Sequence, residues 1–126
     1  MSLDTYPLRC NIPETYLYIA RLLGANGAAL TAEEPDLSRG VTHARTSEGL
    51  YTMTWAANPG RFIGAWGSFG AATMADIDDY QFGRDTWDSS GFVLTYTVYA
   101  VTTAADLIAD QYLDLIVAFS RSGANL

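Results

Sequence analysis

Four stretches of this chain largely alternate between apolar and polar side chains with a period of two, and all four are rich in β-branched and aromatic residues. Such alternation is typical of strands that bury one face and expose the other. The turn Asn58-Pro59-Gly60 separates two of them, because proline presets φ at the second position and glycine supplies a positive φ at the third. The pattern predicts an all-β fold, as a single antiparallel β-sandwich or barrel. The four stretches are 49–55, 62–69, 92–101 and 113–119.

The same alternation predicts which side chains face the core, because successive residues of a strand point to opposite sides of the sheet. In the first stretch we expect Thr52 and Thr54 to point to water. We expect 92–101 to be the longest strand. The predicted core faces are Tyr51, Met53 and Trp55, and then Phe92, Leu94, Tyr96 and Val98. The last stretch places Leu113, Leu115, Val117 and Phe119 on one face.

Two more segments carry weaker strand signals. For residues 14–23 a strand and a short helix both stay open, and the tyrosines together with Ile19 favour the strand. The dipeptide Asn26-Gly27, which follows, is typical of a tight turn. Residues 41–46 precede the turn Ser47-Glu48-Gly49, which predicts a hairpin with the strand that begins at Leu50.

The remaining segments are interpreted as connections. Residues 28–40 are predicted to form a solvated loop, and Tyr80 and Phe82 to share one face of a short strand. The sequence Thr103-Ala104-Ala105-Asp106 resembles a helix N-cap with an acid at the third position. It predicts a turn or two of helix that ends near Gln111.

Glycines 64 and 67 lie inside the second stretch, where a glycine marks a bulge or a close approach of the backbone. One interpretation is that a partner chain packs on the bare backbone there. The favoured interpretation is a bend, or an aromatic pair, Trp66 and Phe69, lying over the gaps.

The charge balance excludes several classes of partner. The 126 residues, the size of one domain, carry a net charge of −7, and none of the basic residues is lysine. Phosphate backbones and anionic lipid surfaces would repel such a chain, so we expect neither a nucleic acid nor a membrane as partner. The single cysteine, Cys10, excludes an internal disulfide and is interpreted as an apolar filler.

We find no motif that predicts catalytic, cofactor-binding or metal-binding residues, and we expect the protein not to be an enzyme. His43, the only histidine, has no partner set for a metal site or a triad and is interpreted as a hydrogen-bonded strand residue. Asp76, Asp78 and Asp79 lack the spacing of an EF-hand loop and are interpreted as a solvated acidic loop.

The first 13 residues differ from the rest, which is predicted to be a single β domain over 14–126. Pro7 and Pro13 bracket this segment, and proline suits neither a helix interior nor a central strand. We interpret residues 1–13 as an extended arm, which packs on a neighbouring subunit, straps its own domain or stays disordered. The candidate binding residues for a capsid or another subunit are Leu3, Tyr6, Leu8 and Ile12.

Aromatic residues are more numerous than one core face of four strands requires, with three Trp, eight Tyr and five Phe. One hypothesis is a platform on which sugar rings stack. The alternative is that these side chains fill the core and form subunit contacts, where Tyr, Trp and Arg are favoured.

The order of several short motifs along the chain resembles that in a known class of protein. The tripeptide Ala44-Arg45-Thr46 stands before Gly49 and Tyr51, and the turn at Asn58 follows. Together with the strand 94–99 and the ending 105–121, these motifs resemble small all-β structural proteins of tailed bacteriophages. The likeness covers about 16–122; the residues at 53 and 55 depart from the Val and Phe of that family, and 76–88 has no counterpart.

The resemblance implies a capsid decoration, or cement, protein. Such a protein would be located on the capsid surface of the virion, where it would bind the outside of an icosahedral head and bridge neighbouring major capsid proteins. It also implies a homo-oligomer, with a trimer favoured. A carbohydrate-binding or other accessory domain of the virion, in a fibre or tail, is the alternative.

Overall fold

The computed structural model describes residues 15–33, 40–73 and 79–120. Within these ranges the chain forms nine strands and no helix. The predicted arm at 1–13, with Leu3, Tyr6, Leu8 and Ile12, lies outside the described residues, as does Cys10. The strands are β1 (Thr15–Leu23), β2 (Thr31–Ala32), β3 (Val41–Ser47), β4 (Leu50–Trp55), β5 (Arg61–Ala71), β6 (Tyr80–Asp88), β7 (Val93–Ala100), β8 (Thr103–Ala104) and β9 (Gln111–Ser120).

The strands form two antiparallel sheets that pack against each other. The first sheet has the order β2-β1-β9-β5, and the second has the order β3-β4-β7-β6, with β8 added on β7. At the β5 and β6 edges the sheets are joined by stacked rings of Phe62 and Trp87, whose centroids lie 5.5 Å apart. The prediction of an all-β antiparallel fold is confirmed, and the architecture is a β-sandwich.

The core lies between the sheets and consists of the side chains that the alternation selects. All of the predicted core residues except Phe92 are buried. Phe92 precedes β7 with a positive φ of 59° and is only partly buried. Thr52 and Thr54 are half-buried rather than exposed, because β4 is an interior strand whose neighbours β3 and β7 flank it on both sides.

The two weaker strand predictions are both confirmed. Residues 15–23 form β1, which pairs with β9 from Thr15 opposite Ser120 to Leu23 opposite Tyr112. This ladder settles the local ambiguity in favour of a strand, since it supplies partners for the whole segment. The hairpin of β3 and β4 also forms as predicted, with Ser47 included in β3.

The lengths of three elements differ from the prediction. The longest strand is β5, with 11 residues, whereas β7 has eight. β6 has nine residues rather than a few, because it pairs along the whole of β7 and absorbs an irregularity between Arg84 and Thr86. Part of the predicted loop at 28–40 is the two-residue strand β2, which pairs with the end of β1.

The helix predicted between Thr103 and Gln111 is wrong. Thr103 and Ala104 instead form β8 by pairing with Ala100 and Tyr99 of β7. The segment that follows crosses from the second sheet to the first, and Leu107 is fully buried between them. So few residues cannot offset the cost of nucleating a helix when sheet pairing and burial are available to the same backbone.

The Asp106 carboxylate holds this crossing segment on the second sheet. It accepts two hydrogen bonds from the Arg45 guanidinium, at 3.0 and 2.8 Å, and one from the Tyr51 hydroxyl at 3.1 Å. The Gly49 amide donates a fourth hydrogen bond at 2.9 Å. The Arg45 guanidinium is the main reason that the pKa of Asp106 is lowered, and the Gly49 and Tyr51 hydrogen bonds lower it further.

The crossing segment also explains why residue 49 is a glycine. Its φ is 73°, in the left-handed region, and a Cβ atom there would lie 2.5 Å from the Ala105 nitrogen. The predicted turn therefore needs glycine for two reasons, its backbone conformation and the closeness of the crossing segment.

Two tight turns of the fold use different residues. Asn26 and Gly27 both have positive φ, at 53° and 92°, and the Ala28 amide donates to the Ala25 carbonyl, as in a type I′ turn. The turn between β7 and β8 has Val101 at its first central position with a φ of 62°. Glycine is the usual residue there, because a β-branched side chain is strained in that conformation.

We expect Asp106→Asn to lower the free energy of unfolding by about 2 kcal/mol at pH 7, because it weakens several charge-assisted hydrogen bonds. A carboxylate whose pKa is lowered by folding stabilises the protein above its unfolded pKa of about 3.9, and this contribution is lost as the pH falls through the lower folded pKa. The variant should therefore also lose less stability on acidification below pH ~4. Urea unfolding at several pH values measures both effects. Asp110→Asn, at an exposed position, is the matched control, and an equal loss there would contradict the assignment.

We expect Val101→Gly to raise the free energy of unfolding by about 1 kcal/mol, since it relieves the strain of a positive φ at an exposed β-branched residue. Part of the gain is offset by the greater chain entropy of glycine in the unfolded state. Thermal unfolding followed by circular dichroism tests this. A stability lower than that of the parent chain would show that the Val101 side chain contributes packing that outweighs the strain.

Candidate docking surface

The first sheet turns one face to the core. Its other face is exposed around Ile19, Trp66 and Ile116, whereas Ala118 and Ser120, at the end of β9, are each only 5% exposed. On the solvent side, strand register places Ile19 of β1, Ile116 of β9 and Trp66 of β5 in one row across the sheet. The adjacent row is Leu17, Ala118 and Gly64, and Ile63 is exposed beside it at a bulge of β5. We call this surface the outer face; its exposed apolar side chains are Leu17, Ile19, Ile63, Trp66 and Ile116.

Trp66 is the most exposed large side chain of the outer face, with 55% of its surface accessible. Its ring lies over Gly64, where a Cβ atom would be 2.9 Å from two ring carbons. This confirms the interpretation of Gly64 as a gap covered by an aromatic ring. A side chain at 64 would lift the ring away, so the glycine keeps Trp66 down on the sheet.

Gly67 has a different neighbour from the one predicted. It faces the core, and a Cβ atom there would lie 2.7 Å from Leu113 and 3.0 Å from Phe82. Phe69 does not cover it and instead contacts Tyr80 edge to face, with centroids 5.8 Å apart. The predicted aromatic pair is therefore wrong for Phe69, because Leu113 and Phe82 are the side chains nearest to Gly67. A bend is present as well, since the register shifts between Phe62 and Gly64.

A polar row borders the apolar one. The Arg21 guanidinium donates to both oxygens of Asp114, at 2.7 and 3.0 Å, and lies 4.0 Å from the centroid of the Tyr112 ring. Glu33 is 3.9 Å from the same guanidinium. Ser68 continues this row on β5. The two rows enclose a shallow groove of about 530 Å³ with Trp66 on one side and Arg21 on the other.

This composition is similar to that of protein–protein interfaces. Large contiguous apolar patches on a protein surface are often contact sites. Protein interfaces combine an apolar centre with a polar border and are enriched in Trp, Tyr and Arg. The outer face has that arrangement, with Trp66 and Ile116 in the centre and the Arg21–Asp114 pair at the border.

Most other aromatic side chains are inside the sandwich. Trp55 contacts Tyr18, Trp87 and Phe119 edge to face, with centroids 5.7, 5.7 and 5.1 Å away. Such contacts stabilise aromatic pairs beyond simple burial. The surplus of aromatic residues is thus largely accounted for by a two-sheet core rather than by a surface platform.

His43 lies on β3 at the edge of the core. Its Nε2 atom is 3.3 Å from the Tyr18 hydroxyl of the other sheet, which confirms the interpretation of a hydrogen-bonded strand residue. Nδ1 is buried without a hydrogen-bond partner. Burial lowers the pKa of His43, because the interior favours the neutral ring.

The other sequence candidates that the structure describes are not gathered into a site. Of the acidic loop, Asp79 is described, whereas Asp76 and Asp78 lie outside the described residues. Across 15–33, 40–73 and 79–120, no three His, Cys, Asp or Glu side chains come together as a possible metal site. No helix in these same ranges is long and apolar enough to cross a membrane.

Comparisons of the chain with protein-family models, with curated proteins and with solved structures found no match. The outer face therefore rests on its own geometry.

We expect the protein to lose stability as the pH falls below about 6.5, because folding lowers the pKa of His43 and the unfolded chain then binds the proton more readily. His43→Gln should flatten the pH dependence between pH ~5 and ~7, measured by urea unfolding. Tyr18→Phe is the control, since it removes the hydroxyl partner and keeps the titrating ring. If His43→Gln leaves the slope unchanged, another group is responsible for it.

Proposed function

We propose that this protein is a capsid decoration protein of a tailed bacteriophage, located on the outside of the head, where it bridges neighbouring major capsid proteins. The observation that carries the proposal is the outer face, which exposes five large apolar side chains on one sheet and so favours a protein that functions through contacts with other protein chains. The resemblance of the segment order to small phage structural proteins gives the partner. The proposal involves binding between protein surfaces and no chemical step.

The rigid sandwich suits this role because preorganised surfaces lose little entropy when they bind. Side chains on a sheet are fixed by the ladder beneath them, and Trp66 is held further by its contact with Gly64. The net charge of −7 disfavours adsorption to nucleic acid, which is abundant during head assembly.

The arm at 1–13 is the proposed contact with the head. β1 and β9 are paired so that Thr15 lies opposite Ser120, which places the starts of both terminal segments at the same end of the sandwich. Leu3, Tyr6, Leu8 and Ile12 are the proposed apolar contacts of this arm.

A carbohydrate-binding accessory domain is the second candidate, and Trp66 is the observation that favours it. A ring that lies on the sheet with its outer side exposed can stack on the apolar face of a sugar. The adjoining polar row, with Ser68 and Asp114, offers partners for hydroxyl groups. The four other exposed large side chains of the outer face are all aliphatic and offer no ring for a sugar to stack on, which favours a protein partner instead.

We expect deletion of residues 1–13 to abolish binding to heads that lack this protein, prepared from the phage that encodes it, while the β domain stays folded. Co-sedimentation with the heads measures binding, and circular dichroism measures folding. Deletion of residues 122–126 is the matched control, because it removes the other terminal segment from the same end. Full binding by the chain without its arm would refute the arm as the contact, and no binding by the intact protein would refute the proposed function.

A further inference from the structure

The outer face is the part of the sandwich on which an acidic chain can meet another copy of itself. The whole protein carries a net charge of −7, so two copies repel each other over most orientations. The three long strands of the first sheet carry only Arg21, Arg61 and Asp114 as charged residues. With Glu33 beside Arg21, the charges that the described residues place at this face are two of each sign, and they cancel.

The row at Ile116 is also complementary to itself. Ile116 is on β9, the strand between the other two, with Ile19 on one side and Trp66 on the other. A two-fold axis that runs along β9 at Ile116 would place Trp66 of one copy opposite Ile19 of the second copy, and the reverse. Trp66 then meets the smaller Ile19 at two equivalent places, because every contact in an isologous interface occurs twice.

The polar row is compatible with the same arrangement. The axis would bring Arg21 of one copy opposite Ser68 of the other, and the two Asp114 carboxylates to the middle. Each carboxylate is already neutralised by two hydrogen bonds from Arg21 of its own chain. A second copy therefore meets a closed ion pair rather than a free charge, which limits the cost of desolvation.

We propose that the outer face binds a second copy of this chain, so that the first sheets of two protomers pack face to face about a two-fold axis at Ile116. The inference rests on the proposed function only in that the outer face binds protein. It differs from the trimer that the family resemblance implies, because one self-complementary face closes at two copies.

The size of the face favours a reversible dimer over a permanent one. Three strands of nine to eleven residues, about 4.8 Å apart and rising about 3.3 Å per residue, span at most roughly 15 by 30 Å, and Ala118 and Ser120 are buried at one end. Each copy would then bury at most about 450 Å², compared with about 800 Å² per partner in a standard interface. Because buried area alone does not fix affinity, the concentration dependence has to be measured.

Sedimentation velocity of the full chain over about 1 to 500 µM tests the inference. We expect the mass to rise with concentration from 13.7 kDa to twice that value. Trp66→Ser and Ile116→Asp should each raise the dissociation constant at least tenfold. Ile108→Ser is the matched control, because Ile108 is 49% exposed but lies in the crossing segment and not on the outer face. Circular dichroism checks that each variant is folded.

Three results would overturn the inference. One is that the full chain is a monomer at every concentration. If deletion of residues 1–13 then produces a dimer, the arm of the same chain covers the outer face. Another is a trimer, which excludes the two-fold axis. The third is an equal effect of Ile108→Ser.

Binding to heads separates this inference from the proposed function. A wild-type chain that dimerises but does not sediment with heads refutes capsid decoration and leaves the dimer intact. A wild-type monomer that loses head binding through Trp66→Ser supports capsid decoration and overturns the dimer, because the outer face then contacts the head.

Discussion

The alternation of side chains along β9 determines both the interior of this protein and its exposed surface. β9 pairs with β1 on one side and β5 on the other, so its register fixes the faces of all three strands. Burial of the residues at 113, 115, 117 and 119 turns Tyr112, Asp114 and Ile116 outward. A shift of one residue would exchange these sets and put a carboxylate into the core, which is strongly unfavourable. The outer face is thus a geometric consequence of how the core is built.

The second constraint is the crossing segment that carries the chain from the second sheet to the first. Its backbone contacts both sheets: the Ala105 amide donates to Val98, and the Asn26 amide donates to the Leu107 carbonyl. The Asp106 carboxylate adds contacts to β3 and β4 through Arg45 and Tyr51. Because these contacts join residues distant in sequence, the segment is shaped by tertiary structure and not by local propensity. That is why its N-cap-like sequence was misleading.

Much of the fold could be predicted where local chemistry decides. Alternation identified the strands around Met53 and Leu115, and Asn26-Gly27 identified a tight turn, because these signals act over a few residues. Val101 gave no turn signal, since its left-handed conformation is imposed by the pairing of β7 with β8. The outer face was not predicted as a site either, because Ile19, Trp66 and Ile116 become neighbours only through strand order. The exposed residues between core positions in β1 and β9 were the signal that could have identified it.

An exposed apolar sheet face can also cause non-specific aggregation, and several features of this chain limit that tendency. The bulge between Phe62 and Gly64 disrupts β5 at one end, and bulges of this kind discourage uncontrolled pairing of sheet edges. Trp66 folds down on Gly64 and presents a ring surface rather than a projecting side chain. The net negative charge of the whole chain then disfavours contacts between copies that do not involve the outer face, where the described charges cancel. If the outer face binds protein as proposed, charge and shape together favour one mode of association over many.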